Sequence, residues 1–134
     1  MKNKLSFVLC VFSLSIANIA NSAPMPNKCP DLKSIQAVGW SKVYESPHKP
    51  STYALIQENN KYDTGSEWSF VFGEFNAKDK NDAVVVGEKL FNSLNLIAGP
   101  IGDENMCACH YMGDQVIGVA MSPPVAIPDA VLKL

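Results

Sequence analysis

The sequence predicts an α+β domain: an antiparallel sheet of four or five strands, one main helix packed on one face, and a short helix near the amino terminus. Three observations predict this class. Residues 80–98 have the caps and apolar spacing of a helix, several short segments alternate like half-buried strands, and two of these flank Gly113-Asp114 as a hairpin.

The first 22 residues have the features of a cleavable secretory signal. Two lysines precede an apolar run over 5–17 that is too short to cross a bilayer, and small residues at 20 and 22 stand where a signal peptidase reads them. Cleavage after Ser22 would leave 23–134 as a single small domain with no further membrane span. We therefore expect an exported bacterial protein, either periplasmic or secreted.

Charge and composition argue against nucleic acid as a partner. Removal of the signal lowers the lysine count from 11 to 9 against 13 acidic residues, which moves the formal net charge from −2 to −4, and the chain has no arginine. Phosphate binding needs a concentrated basic face, and arginine is the residue that binds phosphate or carboxylate with two parallel hydrogen bonds.

Four elements are predicted before the main helix. Pro30 and Asp31 occupy positions favoured in the first turn of a helix, which predicts a short helix that ends near Gly39. Strands are expected at 40–44, 53–57 and 67–75. The third strand has a strongly aromatic face formed by Trp68, Phe70 and Phe72.

The main helix is predicted over 80–98. Asp79 can cap it, with Asp82 three residues on, and Gly99-Pro100 would end it. The apolar stripe at helical spacing consists of Ala83, Val86, Leu90, Leu94 and Ile97.

The carboxyl-terminal hairpin is predicted from segments 106–112 and 115–121, joined by a type II′ turn at Gly113-Asp114. In that register Cys109 faces Gly118, and one face of the hairpin is lined by small residues while the other is bulky and apolar. We expect the main helix on the bulky face. The proline-rich tail from Ser122 onward is expected to lie over the surface.

Three cysteines remain after signal cleavage and predict one disulfide and one spare thiol. Cys107 and Cys109 point to the same face of a strand, so either can meet Cys29. We favour a Cys29–Cys109 disulfide with Cys107 as the spare thiol, because a second layer could approach closely over Gly118. This disulfide would close a loop of about 80 residues, which contributes roughly 4 kcal/mol to the free energy of unfolding in the chain-entropy model.

The segment Cys107-Ala108-Cys109-His110 fits neither of two familiar sites. Covalent haem attachment requires two residues between the cysteines, and a structural zinc site requires four ligands. No catalytic motif is present either. We therefore predict no catalytic residues and no metal site.

Haem is the one cofactor that the residue chemistry suggests. His110 lies near several methionines, as an axial ligand with soft neighbours can, and Tyr111 offers a phenolate. The candidate haem-binding residues are His110, Tyr111 and Met106. The ordinary alternatives are a histidine packed on methionines at the edge of the core and a buried strand tyrosine.

Three segments stand out together: Cys29-Pro30-Asp31-Leu32 running on to Gly39, Trp68-Ser69-Phe70, and Cys109-His110-Tyr111. They resemble a family of small exported proteins from intracellular bacterial pathogens. Most members have no known function, and the family includes the hemin-binding protein Hbp. The resemblance implies an exported, non-enzymatic protein associated with haem.

Three functional hypotheses follow. The first is an exported, non-enzymatic small binding protein with hemin as its ligand. The second is a cell-envelope or virulence-associated interaction module that binds an envelope or host protein and no small molecule. The third is a thiol redox enzyme that uses Cys107 and Cys109.

Overall fold

A computed structural model describes residues 24–126, so the predicted signal at 1–22 and the tail residues 127–134 lie outside the described residues. It confirms the α+β class, with six strands where four or five were predicted. The two helices are α1 (Leu32–Val38) and α2 (Lys80–Phe91). The strands are β1 (Lys42–Glu45), β2 (Thr52–Asn60), β3 (Trp68–Asn76), β4 (Asn95–Gly102), β5 (Cys107–Met112) and β6 (Ile117–Ser122).

All six strands form one antiparallel sheet in the order β1-β2-β3-β6-β5-β4. Both helices pack on the same side, which we call the helix face. The opposite side carries no helix in residues 24–126, and we call it the open face. The domain is therefore a two-layer structure whose core lies between the helices and one side of the sheet.

The helix face is built around aromatic side chains of β3. Trp68, Phe70 and Phe72 are completely buried, as the alternation of this strand predicted. The ring of Phe91 in α2 meets those of Phe70 and Phe72 edge-on at 6.1 and 5.8 Å, and Trp40 stacks on the same pair at 6.3 and 6.0 Å. Such edge and stacked pairs add to the stabilisation from apolar burial.

The start of α2 is as predicted and its end is not. Asp79 Oδ1 accepts a hydrogen bond from the Asp82 amide at 2.8 Å, which confirms the cap. The helix ends at Phe91, however, because Ser93 and Leu94 close a tight turn by donating to the carbonyl groups of Leu90 and Phe91. The predicted extension to residue 98 is therefore wrong.

The residues beyond that turn form β4 and not helix. They pair with β5 from Asn95↔Met112 to Gly102↔Cys107, so Gly99-Pro100 lies within a strand and does not end a helix. Leu94 and Leu96 fit a strand as well as a helix. The segment forms a strand because the edge of β5 provides partners for its backbone N–H and C=O groups.

The expected position of the main helix was also wrong. Helix α2 lies over the face of the sheet that contains Cys107 and Cys109, not over the bulky face of the hairpin. The reason is the pairing of β3 with β6, which sets Phe70 beside Ala120 and Phe72 beside Gly118, so the largest aromatic surface and the small residues share one face. That face has the most apolar area to bury.

The hairpin turn is centred one residue later than predicted. The Gly113 amide donates to the Val116 carbonyl at 3.0 Å, so the loop residues are Asp114 and Gln115, and Gln115 has φ +60°. A Cβ on Gly113 would meet Ser93 and Leu94, so glycine serves close packing there rather than the turn.

This moves the register by two residues, so Cys109 pairs with Ala120 and not with Gly118. A shift of two leaves every side chain on its predicted face, because side chains alternate with period two.

The predicted disulfide Cys29–Cys109 is confirmed, with the two Cα atoms 5.8 Å apart, and Cys107 is a buried free thiol. The room for the bridge comes from Gly99 in β4 and not from Gly118. A Cβ on Gly99 would lie 3.0 Å from Cys29 Sγ and 2.8 Å from Cys109 Cα.

We expect Cys29→Ala to lower the free energy of unfolding by roughly 2–5 kcal/mol, because an 80-residue loop is no longer closed in the unfolded chain. Urea denaturation of oxidised protein measures this. Cys107→Ala is the matched control, since it keeps the bridge and is expected to cost about 1 kcal/mol. An equal loss in both variants, or a Cys29–Cys107 bridge in peptide mapping, would contradict the assignment.

Candidate functional site

The open face carries a shallow apolar groove of about 550 Å³, within the size range of small-molecule sites. Its floor is formed by side chains of β3 and β6, namely Val71, Ile117, Val119 and Met121. Polar groups stand around it, namely Lys49, Glu74, His110 and Gln115.

The apolar character of this face is unusual for a sheet covered on one side only. Antiparallel sheets with one solvated side normally carry polar residues there. Here Ile101, Met112 and Ile117 are 57, 52 and 47% exposed on the open face. Contiguous exposed apolar residues on a monomer mark a binding surface.

One end of the open face is already covered by the chain itself. Ala54 and Ile56 of β2 are each 1% exposed, although neither helix of residues 24–126 lies over them, because Tyr44 and Val125 pack on them. The Val125 amide also donates to Ser69 Oγ at 3.3 Å. The chain that leaves β6 therefore turns onto this face.

His110 is exposed on the open face, between its cross-strand neighbours Ala98 and Val119. Strand alternation puts it on the side opposite the two cysteines. It therefore has the access to an incoming ligand that an axial haem ligand needs, beside an apolar floor.

Tyr111 lies on the other side of the sheet. It is 1% exposed, and its hydroxyl donates to the Pro30 carbonyl oxygen at 2.5 Å. Burial raises the pKa of Tyr111, and the nearby Asp63 carboxylate raises it further, so the phenolate is disfavoured. The structure therefore does not bring Tyr111 together with His110, because the two side chains lie on opposite faces of the sheet and the Tyr111 hydroxyl is engaged with Pro30.

Met106 stands just before β5 and is 46% exposed. Four residues of extended chain separate it from His110, which corresponds to roughly 13 Å. The two side chains therefore cannot bind the same iron from one flat surface, although both can contact a large ligand on the open face.

The cysteines are arranged for structure. Cys109 is bonded to Cys29, and Cys107 is completely buried, which raises the pKa of its thiol. A reactive cysteine needs a stabilised and accessible thiolate. The thiol redox hypothesis gains no support from this geometry.

Sequence reasoning missed Lys49 and Glu74 as residues that line the groove, and it missed the open face as a candidate binding surface. A usable pattern was present in β6, where Ile-Gly-Val-Ala-Met is apolar on both faces. A strand that is apolar on both sides predicts either a second covering layer or a binding surface.

Comparison with known protein families, with curated proteins and with solved structures found no match. Within residues 24–126, no three His, Cys, Asp or Glu side chains are grouped so that they could hold a metal ion. No helix in this part of the chain has the length and apolar character to cross a bilayer. The fold and the groove together define a small disulfide-bonded α+β protein in which the open face of the sheet is apolar and partly exposed.

We expect Tyr111→Phe to destabilise the fold by roughly 1–2 kcal/mol, because the buried Pro30 carbonyl loses its hydrogen-bond donor. Chemical denaturation measures the change. Tyr44→Phe is the control, because this half-buried tyrosine on the open face is expected to change stability by less than about 0.5 kcal/mol. Unchanged stability of Tyr111→Phe would show that the hydroxyl has no anchoring role.

Proposed function

We propose that this chain is an exported, non-enzymatic binding protein that holds hemin on its open face. His110 is the iron ligand, and Lys49 faces the propionate groups. The observation that supports this is an apolar groove with an exposed imidazole at its edge and, at its rim, the Lys49 ammonium group, which lies 3.7 Å from the Glu74 carboxylate.

The apolar floor supplies part of the affinity. Each 100 Å² of apolar surface that is buried contributes roughly 2.5 kcal/mol before the costs of association, so a shallow groove that covers one side of a ligand gives weak binding by itself. A bond from His110 to iron is therefore needed for micromolar affinity. The same bond distinguishes hemin from other flat apolar molecules.

A sheet face supplies only one axial ligand. The two axial positions of haem lie on opposite sides of the ring, whereas the side chains of the open face all approach from one side. Tyr111 points into the core and Met106 is too far along the strand. We therefore expect hemin bound to one copy of this protein to have a single protein ligand, His110.

Export is supported by the disulfide. Stable disulfides form in oxidising compartments and are rare in the cytosol of mesophiles. The Cys29–Cys109 bridge ties the start of the described chain to β5, so folding of this domain is coupled to an oxidising environment.

Hemin titration of the purified oxidised protein tests the function. We expect a Soret shift at micromolar protein, with the affinity of His110→Ala lowered roughly tenfold or more by loss of the iron ligand. His48→Ala is the matched control, because His48 is the one other histidine of the sequence and is exposed in the β1–β2 loop. The absence of a Soret shift in the unchanged protein would exclude hemin.

A second candidate, an interaction module for an envelope or host protein, is favoured by a different observation. The apolar side chains of the open face extend past the groove to Ile101 and Met112, both more than half exposed. A surface that spreads beyond one small ligand suits a protein partner.

A photo-crosslinker placed at Met112 in the producing cells would then give a discrete crosslinked species, because this side chain would lie inside the interface. The same crosslinker at Glu88, on the exposed side of α2, is the control and should give none. Equal products at the two positions would contradict an interface on the open face.

A further inference from the structure

The open face offers a flat ligand a single covering surface. The groove is shallow, and its floor of β3 and β6 side chains can contact one side of a planar molecule. Small-molecule sites usually bury about 70–90% of the surface of their ligand, whereas one flat wall covers roughly half of it. The groove of one chain therefore leaves the second side of an apolar planar ligand in contact with water.

The same limit applies to the iron of a bound hemin. His110 is exposed on the open face and lines the groove, so its imidazole can approach the iron from that face. The two axial positions of haem lie on opposite sides of the ring. On the far side of the ring a second axial ligand has to come from a second protein surface.

Apolar side chains remain exposed on the half of the sheet that contains His110. Ile101 on β4, Met112 on β5 and Ile117 on β6 are 57, 52 and 47% exposed, and Met112 pairs with Ile117 across the two strands. Val125 packs on residues of β2, which β3 and β6 separate from β5. Among residues 24–126, no segment covers this half of the open face.

The charge of the groove does not oppose a second copy of the chain. Its acidic and basic residues are Glu74 and Lys49, which lie 3.7 Å apart as an ion pair, so their charges cancel. A two-fold symmetric contact brings a surface against itself, and unpaired charges of one sign would then repel each other. An apolar surface with a balanced ion pair has no such conflict.

We propose that two copies of this chain bind one hemin between their open faces, with His110 of each copy at one axial position of the iron. The inference rests on the proposed function, because hemin is the ligand that joins the copies. The second copy supplies the other imidazole, an apolar surface for the exposed side of the ring, and a cover for Met112 and Ile117. Hemin binding and dimerisation therefore strengthen each other.

Symmetry favours a second copy over a different protein. A two-fold axis through the iron places the same imidazole on both sides of the ring, so a single exposed histidine provides both ligands. A different protein would need its own exposed imidazole above an apolar surface.

Hemin titration of the oxidised protein at micromolar concentration, followed by light scattering and electron paramagnetic resonance, tests the bridge. We expect a monomer without hemin and a dimer with six-coordinate, low-spin iron that is most abundant at one hemin per two chains. The dimer should dissociate at a several-fold excess of hemin, because each chain then binds its own ligand. Aggregation of hemin itself would instead increase with the excess.

Dilution of the complex at a fixed ratio gives a second reading that needs no variant. A roughly 100-fold dilution should convert low-spin iron to high-spin iron, because the second imidazole is available only at the concentration of the second copy. A ligand from the same chain would be insensitive to dilution.

Met112→Glu separates the bridge from hemin binding to one chain. Met112 lies outside the groove but inside the proposed contact between copies, where a buried, unpaired carboxylate is unfavourable. We expect the dimer fraction to fall roughly fivefold or more, while the Soret shift of the 1:1 complex is retained. Val85→Glu is the matched control, because Val85 is equally exposed, at 52%, but lies on α2 on the other side of the sheet. It should leave the dimer unchanged.

The outcomes distinguish the bridge from the proposed function. A Soret shift with a monomeric 1:1 complex at every ratio would overturn the bridge and leave His110 as the single ligand. Low-spin iron in a monomer would assign the second axial position to another group of the same chain, and a dimer that forms equally well without hemin would assign the open face to direct contact; either result contradicts the bridge. The absence of any Soret shift excludes hemin and the bridge together.

Discussion

The attachment of the amino-terminal segment to β5 is the constraint on which the helix face depends. The Cys29–Cys109 bridge joins positions 80 residues apart, and the Tyr111 hydroxyl holds the carbonyl of Pro30, the next residue. The segment is secured further by Asp63, whose carboxylate accepts from the Asp31 amide and pairs with Lys28 at 2.9 Å. Burial opposes ionisation of Asp63, but these hydrogen bonds and the ammonium group outweigh it and lower the pKa of the carboxyl.

With that segment in place, α1 can pack on the sheet and complete the core. Ile35 is completely buried, and its carbonyl accepts from Gln57 Nε2 at 2.9 Å. Gln57 is itself a buried polar side chain in β2. Its Oε1 atom accepts a hydrogen bond from the Tyr62 hydroxyl at 2.7 Å. Buried polar groups are tolerated when they are paired in this way, and this one fixes where the helix lies.

The alternation of β5 separates structure from binding. Cys107, Cys109 and Tyr111 point into the core and hold the domain together, whereas Ala108 and His110 between them point to the open face. Because both helices and the disulfide lie on one side of the sheet, the apolar side chains on the other side are not covered by any described helix. The same asymmetry provides the groove, the exposed imidazole and the surface that Val125 already occupies in part.

The sequence by itself determined the features that depend on near neighbours: the Asp79 cap, the aromatic face of β3, the alternation of β5 and β6, and the limited choice of disulfide partners. Tertiary structure alone decided that 95–102 pairs with β5 and does not continue α2, that Gly113 serves packing against Ser93, and that α2 lies over the cysteine face. Capping and alternation are local, whereas edge pairing and the choice of face depend on which distant surfaces meet. The position of the candidate site therefore depends on tertiary structure, because the groove on the open face is exposed only when both helices pack on the opposite face.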